Sequence, residues 1–389
     1  MEEEKVKKEN KKKIIKKIIK ILLIIILIGL IIAGIMLYRE NRNVQNFIDE
    51  NILRKSVSED ELLYIEYTND ASTNICAFGK YIGILSNNIL TAYNSYAKQE
   101  FSLNIAITTP IFSSEGKYLA IGEKNGNKIY LVADKNIVWQ GDIEGKIEKI
   151  VVNKNGYMAV AVSQTSYKTI VITYNTNGKE MCKTYLSSTY AADIDISNDN
   201  KNLVIAETNL SGIQIKSGIR IISLEKIEQD VENAIIYKED VGENNIITSI
   251  HYDKSNNLIC MLDNKIVKIE NGQKKDIVEY NENTLFADID LENQIVQIVG
   301  EEQEDMQTKI KVQNTSNNKQ REYIINSIPK EIDTKSKIIV VNTGSEAYFI
   351  TETGFLNRKY ESKQEIKEIV ISENIAGIIY KNKIEIIKF

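Results

Sequence analysis

The sequence predicts an all-β fold, a β-propeller of about eight blades, preceded by one transmembrane α-helix. Three observations support this prediction. A long apolar run lies near the amino terminus, short β-rich runs follow residue 60, and these runs recur with a period near 40 residues. Seven blades are the alternative, if two weak copies of the repeat belong to one blade.

The apolar run at residues 21–37 contains 17 residues and no charge. Ile18, Ile19 and Tyr38 extend it to about 20 residues, enough for a helix to cross roughly 30 Å of hydrocarbon. A cleaved signal peptide has a shorter apolar region of about 7–15 residues and then a small-residue cleavage site. The run here ends in MLYR, so we expect an uncleaved signal-anchor helix at residues 18–38.

Charge on the two sides of this run predicts its orientation. Residues 1–20 hold nine lysines and a net charge of +5, whereas residues 39–42 carry +1. Positively charged flanks stay in the cytoplasm, so we expect residues 1–17 to form a cytoplasmic tail. Residues 39–60 are then a polar juxtamembrane stalk, and residues 61–389 form an extracytoplasmic propeller at the cell membrane.

The chain beyond residue 60 repeats one unit: a short apolar strand, a marker residue, a polar turn and a strongly apolar strand. Examples are IFSSEGKYLAIG, VVNKNGYMAVAV, DISNDNKNLVIA and HYDKSNNLICML. The markers are spaced by 40, 44, 56, 39, 41 and 39 residues, and they are Ser113, Asn153, Ser197, Asp253, Glu292, Asp333 and Ser372. A period of about 40–45 residues with about four short strands per unit indicates propeller blades.

The two ends of the repeat region predict how the ring closes. A further unit, NICAFGKYIGILSNNILTAYN, precedes the first marker and begins near Thr73. The last unit contains only IAGIIY and KIEIIKF and lacks an outer strand, while ELLYIEY at residues 61–67 is a strand without a blade. We therefore expect the amino-terminal strand to complete the carboxy-terminal blade.

Units such as SSEGKYLAIG, and NKNGYMAVAV followed by NTNGKEMCKTY, resemble the blades of WD-like and quinoprotein-like propellers over about residues 61–389. The lysine tail, single span and acidic propeller resemble an uncharacterised bacterial family of single-pass membrane proteins with a propeller-like ectodomain. This resemblance implies a shape and no activity, because unrelated functions share blade patterns. Trp139 is the only tryptophan, so the docking motifs of quinoprotein blades are absent and no cofactor is predicted.

Composition excludes several classes of function. His251 is the only histidine, which rules out zinc sites built from several histidines, and we expect it to have a structural role. There is no Walker loop, G-x-G-x-x-G or G-x-S-x-G motif. Cys76, Cys182 and Cys260 are expected to be buried free thiols. Residues 43–389 carry a net charge of −11, which repels nucleic acid.

Two near-duplicate segments, ADIDIS and ADIDLE, are the best candidates for a binding site. Strand alternation places Asp193 and Asp195 on one face of an innermost strand, and Asp288 and Asp290 on one face of another. Four carboxylates near a central channel could bind a cation such as calcium through oxygen ligands. The segments lack the glycine and glutamate of a calcium loop, so the alternative is that these aspartates accept backbone or Ser/Thr hydrogen bonds.

Together these observations predict a non-catalytic, membrane-anchored propeller that binds or scaffolds an envelope or membrane protein of unspecified identity. The loops at residues 208–218 and 301–307 are the candidate contact loops, because loops carry function on rigid scaffolds. The first alternative is a sensor or binder of a small ligand or cation in an aspartate-lined channel. A cell-wall hydrolase using a carboxylate pair is the weaker alternative, because a single tryptophan offers few platforms for sugars.

Overall fold

The structure is a computed structural model of the whole chain. It describes residues 2–40, 44, 48, 52–53, 55–58, 62–70, 72–227, 233–243, 245–281, 283–300 and 307–389. The chain divides into two compact units, Met1–Ser56 and Val57–Phe389. Most of the predicted stalk at residues 39–60, and all but the last residue of the acidic loop at residues 301–307, lie outside the described residues.

The amino-terminal unit contains one long helix, α1, Glu2–Glu40. Isoleucine and leucine surround its central part on all sides, and the side chains of residues 16–37 are exposed. Within it, Lys16–Tyr38 is long and apolar enough to cross a membrane, a test that a signal sequence also passes. The predicted apolar helix is therefore confirmed, and it is continuous with the lysine-rich tail.

The carboxy-terminal unit is made of short antiparallel strands, of which 33 fall within the described residues. The first two are β1 (Ser56–Ser58) and β2 (Tyr64–Glu66). The first four blades contain β3 (Asn74–Phe78), β4 (Tyr81–Ser86), β5 (Ile89–Tyr93) and β6 (Gln99–Asn104); β7 (Pro110–Glu115), β8 (Tyr118–Glu123), β9 (Lys128–Ala133) and β10 (Asn136–Asp142); β11 (Lys146–Val152), β12 (Met158–Gln164), β13 (Tyr167–Tyr174) and β14 (Glu180–Leu186); and β15 (Tyr190–Ile196), β16 (Asn202–Asn209), β17 (Lys216–Ser223) and β18 (Ile235–Glu243).

Four further blades follow in the same order. They contain β19 (Ile247–Tyr252), β20 (Leu258–Leu262), β21 (Lys265–Glu270) and β22 (Gln273–Glu279); β23 (Thr284–Asp288), β24 (Gln294–Gly300), β25 (Thr308–Asn314) and β26 (Gln320–Ile325); β27 (Glu331–Lys335), β28 (Ile338–Asn342), β29 (Glu346–Thr351) and β30 (Leu356–Glu361); and β31 (Glu368–Ile371), β32 (Ile375–Ile379) and β33 (Lys383–Lys388). The first strand of each blade is innermost and lies beside first strands of neighbouring blades. The fold is therefore an eight-bladed propeller, as predicted.

Ring closure takes the predicted form. Strand β2 pairs antiparallel with β33, with Tyr64 opposite Glu385 and Glu66 opposite Lys383, and so becomes the outer strand of the eighth blade. The Tyr67 hydroxyl donates a hydrogen bond of 2.6 Å to the Tyr380 carbonyl oxygen in the same blade. Strand β1 adds a fifth strand to the seventh blade. Closure by strands from both chain ends leaves the last blade with a full sheet.

The marker residues owe their position to turn chemistry. The Asn153 side-chain oxygen accepts the N–H groups of Asn155 and Tyr157 at 3.0 and 3.1 Å, and Asp253 accepts those of Ser255 and Asn257, both at 2.8 Å. The residue three places after the marker has a positive φ in five blades, and these residues are Gly116, Gly156, Asn200, Asn256 and Ser336. Glycine and asparagine tolerate this conformation best, which explains the repeated turn sequences.

The hydrophobic core is divided among the interfaces between blades. Eight clusters of buried side chains are present in the described part of the chain, and each joins two neighbouring blades around the ring. Alternate residues of one strand serve two interfaces: Leu203 packs towards the third blade and Val204 towards the fifth. Such strands read as continuous apolar runs because both faces are covered. The three cysteines are buried and free, as predicted.

Candidate functional site

A cavity of about 370 Å³ lies among the ends of the innermost strands. It is reached from the side of the ring that carries the marker turns, which we call the turn face. Its lining includes six carboxylates: Glu115, Asp193, Asp195, Asp290, Glu292 and Glu373. It also includes His251 and four lysines: Lys149, Lys154, Lys254 and Lys335. Polar and charged groups therefore dominate the central channel.

Asp193 and Asp195 both project from β15 towards the next inner strand, β19. One oxygen of Asp193 accepts the Ile250 N–H at 2.9 Å, and one oxygen of Asp195 accepts the Tyr252 N–H at 2.8 Å. The inner edge of β19 has no partner strand, so its N–H groups need other acceptors. The two carboxylates thus staple the fourth blade to the fifth, and both side chains are more than nine-tenths buried.

The second aspartate pair is arranged differently, because β23 ends at Asp288. The Asp288 carboxylate accepts the N–H of Asp290 at 2.8 Å, so the chain turns before Asp290. It also accepts the hydroxyl of Thr334 on β27. Asp290 lies beyond the strand, and 58% of its side chain is exposed. Asp193, Asp195 and Asp290 line the cavity, whereas Asp288 is not among its lining residues.

Two lysines that sequence reasoning missed have ammonium groups in the channel. Lys149 Nζ lies 2.5 Å from Asp193 Oδ1. Lys335, at the end of β27, reaches from the seventh blade to the second, where Nζ lies 2.5 Å from both Glu115 Oε2 and the Ser114 carbonyl oxygen. Two blades lie between these along the ring, so the Lys335 side chain crosses the centre of the channel.

His251 lies between the two aspartate segments. Its Nδ1 is 3.5 Å from Asp195 Oδ2 and 3.8 Å from Asp290 Oδ1. Both separations are longer than an ordinary hydrogen bond. His251 therefore lines the channel, with 28% of its side chain exposed, and the structural role that we expected for it stays a prediction.

An alignment of the repeats on their marker residues identifies most of the polar residues that line the channel. Lys149, Asp193, Ser249 and Asp288 all lie four places before a marker, and Asp195, His251 and Asp290 all lie two places before one. Equivalent positions in successive blades form layers around the axis of a propeller, which is why Asp193 meets both Lys149 and Ser249. Lys335 and Glu115 lie two places after their markers.

The pKa values of several carboxyl groups in and around the channel are raised above that of a free aspartate. Burial raises the pKa of Asp195 and of Asp288 to about 6 each, and the loss of bulk solvent inside the channel raises the pKa of Asp290, whose side chain is open to the cavity, to about 6 as well. Burial, followed by repulsion from Asp288 and Asp290, raises the pKa of Asp333 to about 7. Burial acts to lower the pKa of Lys335, but the carboxylates of Glu115, Asp290 and Asp333 together outweigh it and the net shift is upward. The channel therefore holds several carboxyl groups that titrate near neutral pH.

The four predicted aspartates do not meet at one point. The oxygens of Asp193 and Asp195 accept main-chain N–H groups, and Asp288 accepts a main-chain N–H and a hydroxyl. In the part of the chain that the structure describes, no group of three or more His, Cys, Asp and Glu side chains is placed to hold a metal ion.

The opposite side of the ring, which we call the loop face, carries exposed apolar side chains. The connection between β16 and β17 emerges there, and it exposes Leu210 by 55%, Ile213 fully and Ile215 by 42%. The Asn209 side-chain oxygen accepts the Ser211 N–H at 2.9 Å and shapes the start of this loop. Strand β24 also ends at this face and strand β25 begins there.

Solved structures of other propellers resemble this one in fold. The carboxy-terminal WD40 domain of Sif2 matches with a TM-score of 0.56 at 11% identity, covering 84% of this chain and 99% of that chain. Sqt1 from Chaetomium thermophilum, bound to the N-terminus of ribosomal protein L10, matches with a TM-score of 0.54 at 9% identity, covering 86% and 100%. The dihydro-heme d1 dehydrogenase NirN matches with a TM-score of 0.51 at 8% identity, covering 83% and 72%.

No curated protein sequence matches this chain. A family model does, and it spans residues 56–389, which include all 33 described strands. The match extends from β1 through the ring to the carboxy terminus, so the family is defined by the propeller. The chain belongs to this family, the Family of unknown function (DUF5711).

Proposed function

We propose that this protein is a single-pass membrane protein whose extracytoplasmic propeller binds or scaffolds another envelope or membrane protein. One observation carries the proposal: the β16–β17 loop at residues 210–215, which we call the apolar loop, exposes three large aliphatic side chains on a rigid ring. Contiguous exposed apolar groups on a folded domain typically mark a protein or membrane contact.

The apolar loop has the features of an interface anchor. Its side chains project from a hairpin whose strands pair without interruption, from Asn202 opposite Ser223 to Asn209 opposite Lys216. A rigid base lowers the conformational entropy that is lost on binding. Burial of aliphatic area contributes about 25 cal/mol per Å² to the free energy of binding. Burial of these three side chains would therefore provide part of the binding free energy of a complex of moderate affinity.

The fold suits this role. Sqt1, one of the structural neighbours, holds the N-terminus of a ribosomal protein. Propellers present many loops on two faces of one stable ring, so partner binding needs no change in the core. The proposed partner has an apolar patch of its own and lies in the membrane or the cell envelope.

The membrane topology is part of the same proposal. It is supported by the single candidate span and by the excess of lysine before it. A variant with Lys12→Cys and another with Ile213→Cys would be treated in intact cells with a membrane-impermeant maleimide. We expect Ile213→Cys to react and Lys12→Cys to react only after permeabilisation, because the native cysteines are buried. Reaction of Lys12→Cys in intact cells would contradict the topology.

Partner binding would be tested by crosslinking in living cells, with the native chain compared with Leu210→Ser/Ile213→Ser/Ile215→Ser. Val138→Ser is the matched control, because Val138 is 42% exposed on the outer strand β10. We expect one protein to be crosslinked by the native chain and by the control, and to be lost with the triple variant. Equal recovery with all three proteins would refute the role of the apolar loop.

A second candidate function is the binding of a small ligand or cation in the channel, near Asp193, Asp195, Asp288 and Asp290. The cavity of about 370 Å³ at the turn face favours it. Neither candidate is catalytic. Three of these aspartates have oxygens committed to main-chain N–H groups, which suits a structural or binding role better than acid–base chemistry.

A further inference from the structure

We propose that the channel binds a small aliphatic amine, and that Asp290 is the carboxylate that receives its ammonium group. This inference rests on the second candidate function, ligand binding in the channel, and it names the class of ligand. It does not depend on the apolar loop, which lies on the opposite face of the ring.

The charge balance of the cavity favours a cation. Six carboxylates and four lysines line it. Three of the carboxylates are in ion pairs with lysines: Glu115 with Lys335, Asp193 with Lys149, and Glu292 with Lys254. Asp195 and Asp290 form no ion pair with a lysine among the described residues and both lie beside the imidazole of His251, while Lys335 and Lys149 attract Asp290 at longer range. A cavity that retains uncompensated negative charge attracts a positively charged ligand.

Asp290 is the better placed of these two carboxylates. Both oxygens of Asp195 already accept main-chain N–H groups, from Ile196 and Tyr252 at 2.8 Å each. The Asp290 carboxylate is 58% exposed to the cavity, and Nδ1 of His251 lies 3.8 Å from it, beyond hydrogen-bond distance. A carboxylate has about four acceptor sites, so Asp290 can accept hydrogen bonds from an ammonium group.

The ammonium group of Lys335 shows how the channel can hold such a group. Lys335 Nζ is held by the Glu115 carboxylate and by the Ser114 carbonyl oxygen, each at 2.5 Å. These contacts show that channel oxygens from an inner strand can replace the hydration of an ammonium ion. A ligand amine at Asp290 would use the same chemistry, with one carboxylate and nearby oxygens accepting its three hydrogens.

The geometry favours an amine over a metal ion. Calcium needs about six to eight oxygen ligands at one point, and no such cluster occurs among the described residues. An ammonium group needs only about three acceptors. The cavity of about 370 Å³ is at the small end of ligand sites, which commonly run from about 300 to 1,000 Å³, and suits an amine of a few carbons.

The test is isothermal titration calorimetry of the full-length protein in detergent, with putrescine as the probe. The same titration is repeated with 1,4-butanediol, which has hydroxyls in place of the ammonium groups, and with calcium chloride. Asp290→Asn is the test variant. Asp276→Asn is the matched control, because Asp276 lies on the outer strand β22, far from the channel lining.

We expect putrescine to bind and butanediol not to bind. Asp290→Asn should weaken putrescine binding by about tenfold or more, since a hydrogen bond to a charged group is lost, while Asp276→Asn changes it less than about twofold. Asp290→Ser is a second variant, and the thermal midpoints of both Asp290 variants establish that they fold. Equal weakening by Asp276→Asn would indicate diffuse electrostatic attraction and would overturn the proposal.

The other outcomes distinguish a failure of the amine proposal from a failure of the second candidate function, ligand binding in the channel. Calcium binding without putrescine binding would overturn the amine proposal and leave ligand binding in the channel intact. No binding of either would overturn both. Putrescine binding that is unchanged in Asp290→Asn and Asp290→Ser would overturn the assignment of Asp290.

Discussion

Lys335 and Glu115 form an ion pair across the centre of the ring, between the seventh and the second blade. They lie 220 positions apart in the sequence, and the segment between them includes most of the propeller. Every other blade-to-blade staple described above joins immediate neighbours around the ring. This pair therefore acts as a cross-brace between blades that are not neighbours.

The cross-brace should stabilise the propeller. The two side chains are 21% and 33% exposed, so Lys335→Met should lower the free energy of unfolding by about 1–2 kcal/mol, less than the roughly 3–5 kcal/mol lost when a fully buried pair is broken. Urea denaturation would measure it. Lys330→Met is the control, because its pair with Glu365 is exposed and should contribute under about 0.5 kcal/mol. Equal effects of the two variants would contradict the cross-brace.

The Asp195 carboxylate should hold the inner edge of β19 in place. Asp195→Ala leaves the buried Tyr252 N–H without its acceptor, at a cost of about 1–3 kcal/mol. Hydrogen exchange followed by mass spectrometry should show faster exchange in β19, with little change in blades far from it. Asp142→Ala, an exposed change on β10, should leave exchange in β19 unaltered. Unchanged exchange in Asp195→Ala would show that the staple is dispensable.

Asp333 should make stability depend on pH in an unusual direction. Its pKa is raised to about 7, whereas an unfolded aspartate titrates near pH 4. Between these values the folded state binds more protons, so the contribution of Asp333 to stability falls as pH rises through this window. Asp333→Asn cannot ionise. We expect it to raise the thermal midpoint relative to the native chain by a few degrees more at pH 8 than at pH 5.

That comparison has a clear control. Asp142→Asn removes an exposed carboxylate, so its difference from the native chain should not vary between pH 5 and pH 8. Thermal midpoints measured by circular dichroism at both pH values would decide the matter. A constant difference between Asp333→Asn and the native chain would mean that Asp333 is already ionised at pH 5.

Two turn glycines with similar backbone conformations allow the steric cost of an added Cβ to be compared with the conformational cost alone. Gly156 and Gly272 have similar φ values of +80° and +75°. An added Cβ at Gly156 would meet Tyr118 ring atoms at 2.6 to 2.9 Å, whereas at Gly272 it would meet nothing within 4 Å. Gly272→Ala should therefore cost only the conformational penalty of about 1–2 kcal/mol. Gly156→Ala should cost more by urea denaturation, and equal costs would mean that Tyr118 moves aside freely.

The fold was largely predictable because its signals are local. Most blades repeat a marker, a turn residue with positive φ and two apolar strands, and this pattern depends on residues close together in the chain. Ring closure was also predictable, because ELLYIEY had no blade of its own and the last blade lacked one strand. The insertion in the β16–β17 loop was predictable because the interval of 56 residues between the markers Ser197 and Asp253 is longer than the others.

The site was only partly predictable. Alternation correctly put Asp193 and Asp195 on one face of an inner strand, but it also implied that Asp288 and Asp290 share a strand, and β23 ends before Asp290. The reason is local: the Asp288 side chain accepts the Asp290 N–H and turns the chain. His251 gave no signal by itself, since one histidine in a strand is usually structural.

By itself, the sequence determined the apolar helix, the blade period, the turn chemistry and the closure of the ring, because each follows from the nearby order of apolar and turn-forming residues. Only the tertiary structure decided which charges meet. Lys335 forms an ion pair with Glu115, and His251 lies between Asp195 and Asp290. These contacts form because the closed ring places equivalent positions of different blades around one channel. Distances across that channel depend on the packing of all eight blades, which no local pattern encodes.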